Sequence, residues 1–466
     1  MLQYFTNAAN GWRKYRSRRS YYWDSITNYC NYFIHPDDSV LEVGCGTGEL
    51  IGKVNGKNKV GIDFCEALIK QAIEAQPQVE FHIMEAENIT LTRTFDVVII
   101  SNLIGFIDDV ELVFNQIRKV CTPRTRIIVT SYSRLWEPLI GLAEAIGIKR
   151  RTPEQNWISR RDIINLLYLS GFETYRSNSG MLVPLNIPLI APFCNRILSH
   201  LPIFSWGNIN NYIFARPMPT EDGWEQKYSV SVLVPARNES GNIRAAVERI
   251  PDMGNHTEII FVEGNSTDDT WQTICQVQQE YAGKRDIKIC QQEGKGKGDA
   301  VRKGYSIATG DILMILDADL TVPPEDLPKF YHAIATGKGE FINGVRLVYP
   351  MEDGAMRTLN TIGNHFFSQL FSWILESTIK DTLCGTKVMF RSDWLKLSEG
   401  RKFFGNFDPF GDFDMLFGAY KLNLKMVDLP IRYKERKYGA TNISRFKHGL
   451  LLLKMSAFAA TKIRFR

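Results

Sequence analysis

Cysteine is scarce in this chain, with eight among 466 residues. None forms a C-x-x-C or C-x-x-H pair, which excludes a zinc ribbon or a dense disulfide framework and predicts a reducing compartment. Long apolar runs are missing as well. No stretch approaches the ~18 residues that a membrane-crossing helix needs, and the first twenty residues lack the apolar core of a secretory leader. A strong charge of one sign is also absent. Lys plus Arg is 56 against 51 for Asp plus Glu, a net charge of +5, which does not by itself point to nucleic acid. No segment is of low complexity and no repeat of solenoid length occurs. His35, His82 and His200 are scattered and read as ordinary residues.

What is present suits ordered globular domains. Hydrophobic residues make up 44% and charged residues 23%, which excludes wholesale disorder. The length suggests two to four domains at roughly 100–200 residues each. Short Val/Ile-rich strands alternate with helical patterns twice over, so the fold class is α/β in two tandem domains, each with a mainly parallel sheet. The first opens at Ser39-Val-Leu-Glu-Val43 and closes at Asn211-Tyr-Ile-Phe-Ala215; the second opens at Ser229-Val-Ser-Val-Leu-Val-Pro235. Prolines, a glycine and acids between Arg216 and Trp224 mark a linker. The expected division is 1–217, a linker at 218–228, and 229–466.

In the first domain, Val40-Leu-Glu-Val-Gly-Cys-Gly-Thr-Gly-Glu-Leu50 reads as a strand entering a glycine-rich turn before a helix. Without Cβ atoms, Gly44, Gly46 and Gly48 allow a tight turn and a close ligand approach. Val60-Gly-Ile-Asp63 is a second strand ending in a carboxylate suited to a ribose diol. The spacing is not GxGxxG, so a dinucleotide cradle is disfavoured. It resembles motif I of class I S-adenosylmethionine-dependent methyltransferases. The resemblance continues through Met84-Glu-Ala-Glu-Asn88, Phe95 to Asn102, and Arg126 to Thr130, and covers about residues 38 to 217. It implies a seven-stranded Rossmann-like sheet, with S-adenosyl-L-methionine held by Glu42, Gly44, Gly46, Gly48 and Asp63, and Glu85 or Glu87 near its base. The Ser101-Asn-Leu-Ile-Gly105 segment lacks the Asn-Pro-Pro-Tyr of amino-methylating DNA enzymes, so no nucleic-acid substrate is expected. Methyl transfer runs largely on proximity and alignment, so no catalytic base need be visible. The proline-rich stretch from Met181 to Trp206 is read as a substrate lid or a docking surface for the second half.

In the second domain, Val232-Leu-Val-Pro-Ala-Arg-Asn-Glu239 is read as a buried strand that breaks at Pro235. A strand, polar turn and helix start follow at Glu258 to Thr270, where Ser266, Thr267 and Asp268 are good caps. Gly294-Lys-Gly-Lys-Gly-Asp-Ala300 and Asp311-Ile-Leu-Met-Ile-Leu-Asp-Ala-Asp319 come next. Asp317 and Asp319 close an apolar strand and can point into one site, and their oxygen donors suit Mg2+ or Mn2+ bridging a diphosphate. Four motifs in this order resemble family 2 glycosyltransferases of the GT-A fold, over about residues 229 to 445. The resemblance implies that Pro235, Ala236, Arg237, Glu239 and Glu263 hold the nucleoside, with Lys297 and Arg302 facing phosphates. Glu263-Gly-Asn-Ser266 stands where the family usually has Asp-Asp-Gly-Ser. Within the family the likeness is to dolichyl-phosphate mannosyltransferase and polyprenyl-phosphate glucosyltransferases. It rests on Asp317-Ala-Asp-Leu-Thr-Val-Pro-Pro-Glu325, on Lys380-Asp-Thr-Leu-Cys-Gly-Thr-Lys387 with Asp381 matching a site acid, and on Arg436-Lys-Tyr-Gly-Ala-Thr-Asn442. Arg436 would face the acceptor phosphate; Thr441-Asn442 replaces the usual Ser-Lys. A hydroxyl acceptor would need a base, for which Asp412 and Asp414 are candidates, Asp414 being equally a helix cap.

Cations dominate residues 430 to 466, around Gly449-Leu-Leu-Leu-Leu-Lys-Met-Ser-Ala-Phe-Ala459-Ala460, and again at Arg13, Lys14, Arg16, Arg18 and Arg19 among Trp12, Tyr15, Tyr21, Tyr22 and Trp23. Both suit an anionic membrane surface; solvated or sheet-packed helices are the alternative. His365 to Leu375 is a further amphipathic candidate whose aromatics equally suit a core. The expected whole is a bifunctional enzyme, peripheral on the cytoplasmic face of a membrane, with its oligomeric state left open. Metal-dependent inverting transfer would take a hexose from a UDP- or GDP-linked nucleotide sugar to a polyprenyl phosphate or a glycan. The methyl acceptor would be a sugar or lipid. The rivals are a non-catalytic cofactor-binding or docking N-terminal module, and a scaffold with decayed sites.

Overall fold

The computed structural model describes residues 1–17, 20–147, 153, 155–219, 223–349, 358–400, 411–436, 438 and 445–465, with backbone alone at 8, 10, 12–17, 358–362 and 445–448. Thr441 and Asn442, the N-terminal cations Arg13, Lys14, Arg16, Arg18 and Arg19 with Trp12 and Tyr15, and the tail residues Lys437, Arg445, Lys447 and Arg466 therefore have side chains outside the described residues. The chain forms two compact units, Met1–Met218 with Phe465–Arg466, and Pro219–Arg464.

The first unit is built on seven strands: β1 Ser39–Val43, β2 Asn58–Asp63, β3 Glu80–Ile83, β4 Phe95–Ser101, β5 Cys121–Tyr132, β6 Phe172–Gly180 and β7 Asn210–Pro217. Their order is β3-β2-β1-β4-β5-β7-β6. β7 runs antiparallel to both β5 and β6, and the other pairs are parallel. Val97, Val98, Ile99 and Ile100 of β4 are all fully buried, as a central parallel strand covered on both faces requires. Strand order reverses at β1 and β4, which opens a crevice at their carboxyl ends. Tyr22, on the helix Ser20–Phe33, is buried against this sheet and stacks on Tyr132. The proline-rich stretch folds into short helices, Ile190–Arg196 and Pro202–Ser205, around a single 3-10 turn.

The second unit carries β8 Ser229–Ala236, β9 His256–Glu263, β10 Asp286–Gln291, β11 Ile312–Ile315, β12 Phe341–Val345, β13 Lys387–Phe390 and β14 Met426–Pro430. Their order is β10-β9-β8-β11-β13-β12-β14. Only β13 is antiparallel to its neighbours. Val230, Val232, Leu233 and Val234 make β8 a buried central strand that continues through Pro235. The helix Thr358–Ile374 buries Phe371, which stacks on Phe417. The tail helix Arg445–Ala459 and the π-turn Ala460–Arg464 bury Leu452, Met455, Ala459 and Ile463, and Arg464 pairs with Glu376. Part of the tail's apolar face is thus spent inside the unit. No helix among the described residues is long and apolar enough to cross a membrane.

Candidate active sites

In the first unit the glycine turn leaves β1 with Gly44, Gly46 and Gly48 all at positive φ, between 56° and 76°. Side chains rarely adopt this conformation, which explains the residue type. Asp63 closes β2 beneath the turn: one carboxylate oxygen accepts the Gly46 amide at 2.9 Å and the other the Cys65 amide at 2.9 Å. Each oxygen has a second lone pair, so this carboxylate can brace the turn and still accept from a ligand hydroxyl. Glu42 is buried and accepts the Ile51 amide at 2.9 Å, an internal tie at the start of the helix Glu49–Lys53. Glu85 is exposed and Glu87 half-buried in the loop after β3.

Beyond β4 and β5 lies a shallow, open pocket, lined among others by Asn102, Ser131, Tyr132, Asn156 and Trp157. Asn102 sits at positive φ and donates to the Tyr22 hydroxyl at 3.1 Å, which itself donates to Asn210 at 2.8 Å. Burial, reinforced by Tyr132, pushes the Tyr22 phenol well above its ordinary value, so it stays protonated as a hydrogen-bond donor. Sequence patterning missed Tyr22, because an N-terminal aromatic in a basic segment carries no signal of the strand ends it will meet.

In the second unit the strand ends gather charge. Asp317 and Asp319 follow β11, where the Leu316 amide bonds the Leu233 carbonyl. The Lys297 ammonium, at the start of the helix Lys297–Ile307, lies 2.6 Å from Asp317. Burial opposes ionisation of Asp317, but Lys297, with Arg346 and Lys387 behind it, outweighs burial and holds the carboxyl below its ordinary value. Asp319 accepts the Thr321 amide and hydroxyl on one oxygen. Its other oxygen meets Arg436 at 2.5 Å. Arg436 reaches Glu239 at 2.8 Å with its second nitrogen, so a single guanidinium spans both acids. Burial raises Glu239 above its ordinary value against the pull of Arg436.

Asp381 sits elsewhere in this network. It is fully buried and takes a bidentate pair from Arg346 at 2.7 and 2.8 Å. The Arg346, Leu383 and Cys384 amides and the Asn364 side chain also donate to it. Its oxygens are committed to the protein, so it positions Arg346. Asp412 opens the helix Asp412–Lys421, buried 3.8 Å from the fully buried Lys387; Lys387 also donates to Asn343 at 3.0 Å. Asp414 lies inside the first turn of that helix, and the preceding Gly411 holds the N-cap position. Glu263 accepts the Ser266 amide and the Gln291 side chain. Arg237 is exposed. Arg302 pairs with Asp299 at 3.4 Å, and Asp299 accepts the Gly294 amide, so this arginine braces its own loop. Arg346 went unread in the sequence, since an arginine after a short apolar strand has no pattern of its own.

Among the described residues no group of three or more His, Cys, Asp or Glu side chains is assembled to hold a metal ion. The Asp317 and Asp319 carboxylates nonetheless fit a hard divalent cation of the Mg2+ kind, which takes one or two protein carboxylates and completes its shell with substrate phosphates and water.

Residues 231–397 match the model of the Glycosyl transferase family 2, and residues 34–157 match that of a Methyltransferase domain. The chain is similar to a dolichol-phosphate mannosyltransferase of Pyrococcus furiosus, 37% identical over 111 residues that cover 23% of this chain and 30% of the relative. The chain therefore spans under a third of that relative's length. A dolichyl-phosphate hexose transferase of Haloferax volcanii is 28% identical over 226 residues, covering 48% of this chain and 90% of the relative. A solved SAM-dependent methyltransferase of Thermotoga maritima, described as a possible histamine N-methyltransferase, is 18% identical with a TM-score of 0.37, and the match covers 46% of this chain and 98% of that one.

Proposed function

We propose, for a chain that carries a methyltransferase domain followed by a family 2 glycosyl transferase domain, that the second unit moves a hexose from a nucleoside-diphosphate sugar to a polyprenyl phosphate. The observation that carries this reading is the pairing of both strand-end carboxylates with cations, Asp317 with Lys297 and Asp319 with Arg436. The same side chains serve both halves of a bound diphosphate donor. A divalent ion held by Asp317 and Asp319 would neutralise charge on the departing diphosphate. Lys297 and Arg436, released from their carboxylates, would turn to phosphate oxygens, for which the guanidinium fork is suited. Glu239 and Glu263, at the ends of β8 and β9, would face the nucleoside. The acceptor oxygen attacks the anomeric carbon as the diphosphate leaves, which inverts that centre. A lipid phosphate is already a nucleophile and needs no base; Asp412, beside Lys387, would serve one only if the acceptor were a glycan hydroxyl. Such a lipid acceptor puts the reaction at a membrane surface.

In the first unit, S-adenosyl-L-methionine would supply an electrophilic methyl group. Asp63 and the glycine turn would seat its ribose and methionine part, and the pocket at Asn102, Tyr132 and Trp157 would align a sugar or lipid acceptor.

The test is transfer from a panel of radiolabelled nucleotide sugars to membranes, with and without Mg2+ or Mn2+, the product being partitioned into organic solvent. Metal-dependent label in the organic phase is expected, with Asp319→Ala lowering it roughly 100- to 1000-fold. Label that stays in water as a saccharide moves the acceptor to a glycan. No transfer from any donor overturns the reading.

A further inference from the structure

The most unusual surface of the molecule lies in the first unit, between β6 and β7. Residues 181–207 contain no acid and one formally charged side chain, Arg196, which is exposed. The segment is folded inside out. Polar groups pin it from within: Asn195 accepts the Leu182 and Val183 amides at 2.8 and 2.9 Å and donates to the Val183 carbonyl and the Tyr21 hydroxyl. The buried Asn208 donates to the Ser199 carbonyl and the Ser179 hydroxyl. Large apolar side chains stand outward instead, with Leu189 86% exposed, Ile203 76% and Trp206 72%. Leu189 is also held at a positive φ of 64°, a conformation a bulky residue keeps only where the surrounding structure imposes it.

A neighbouring element repeats the pattern. The Trp136 ring nitrogen donates to the Gly207 carbonyl at 2.9 Å, which fastens the start of the helix Glu137–Ala145 to the end of the insertion. That helix exposes Leu139 and Leu142, and the sequence beyond it runs to Lys149-Arg150-Arg151. Soluble monomers rarely leave so much contiguous apolar surface in water. Short, proline-broken helices with outward Leu, Ile and Trp, one exposed arginine, Arg196, and no acid in the insertion are the chemistry of a bilayer interface. There the aromatic sits at headgroup level and basic groups meet anionic lipid.

We propose that this insertion, with the helix fastened to it, docks the N-terminal unit on the interface of an anionic lipid bilayer. It would bring the methyltransferase pocket to a lipid-borne acceptor.

The experiment is co-sedimentation of the full-length protein with vesicles of phosphatidylcholine containing phosphatidylglycerol. Binding is expected, and the double variant Leu189→Asp, Ile203→Asp should weaken it by about tenfold or more with an unchanged melting temperature, since both side chains are exposed. Trp206→Phe should remove a lipid-induced blue shift of the emission. Lys454→Glu with Lys462→Glu, in the tail, should leave most of the binding. Equal binding by the wild type and the aspartate variant overturns the proposal, and so does binding that follows the tail cations alone. Failure to bind vesicles, with a self-associated species that the aspartates dissociate, also overturns it and assigns the face to a second copy of the chain.

Discussion

Asp381 accepts six hydrogen bonds from the protein, and its role changes with that count. Burial alone would raise the carboxyl, but Arg346 and Asn364 reverse the shift and hold it at about 2. A group whose folded value lies below its unfolded one contributes its full stability above the unfolded value, and the contribution is lost as pH falls through the folded value. Here the window runs from about pH 4 down to about 2, and the linkage is about 2 kcal/mol. Asp381→Ala would leave the buried Arg346 uncompensated and should cost about 3–5 kcal/mol, read by denaturant unfolding of the second unit. The sequence drew attention to Asp381 only through the resemblance of the Lys380–Lys387 segment. That it is saturated was not legible there, because its partners Arg346 and Asn364 arrive from other elements. Arg436 makes the complementary case. Replacement by lysine should rescue little of the activity lost in Arg436→Ala, roughly 100-fold, because one ammonium is a point charge and does not fork two phosphate oxygens as the guanidinium does. Steady-state transfer rates of the two variants decide it.

At the scale of elements, the strands that end in chemistry were the readable ones. β1, β2, β4, β8, β9 and β11 carry short Val/Ile/Leu-rich stretches that stop at a turn signal, because both faces of a central parallel strand are buried. β13 is different. It is four residues long and antiparallel, and its identity depends on the partner strand rather than on its own pattern. What brings the catalytic loops together is close backbone approach. A Cβ on Gly385 would fall 2.1 Å from an Asp317 oxygen and 2.2 Å from the Lys297 nitrogen, and one on Gly411 would fall 2.8 Å from the Gly298 Cα. Gly385→Ala should therefore push Asp317 and Lys297 off the positions from which they would meet the ion and the phosphates and reduce transfer sharply, by about 100-fold, while far-ultraviolet circular dichroism stays unchanged. Wild-type rates in that variant would mean that the placement of these two side chains does not govern transfer.

At the scale of the whole molecule, each unit has its own sheet and its own core, so each should unfold as its own cooperative step. Calorimetry of the full chain should show two transitions. S-adenosylmethionine at about a hundred times its dissociation constant should raise one by roughly 5–10 °C, and a nucleotide sugar with Mn2+ should raise the other. Asp63→Ala should abolish the first shift and spare the second. A single transition moved by either ligand would mean that the units fold as one.

The sequence by itself determined the class of both sheets, the glycine turn with its acid, and the strand-end carboxylate pair. These are local signals, written in apolar periodicity, in residues that tolerate positive φ, and in short spacings along one strand. Only the tertiary structure decided which acid faces which cation, that Tyr22 stands beside Asn102, and that the stretch from Met181 to Gly207 wears its apolar side chains outward. Each of these depends on what burial and long-range pairing do to a residue, and neither is encoded in that residue's own neighbours along the chain.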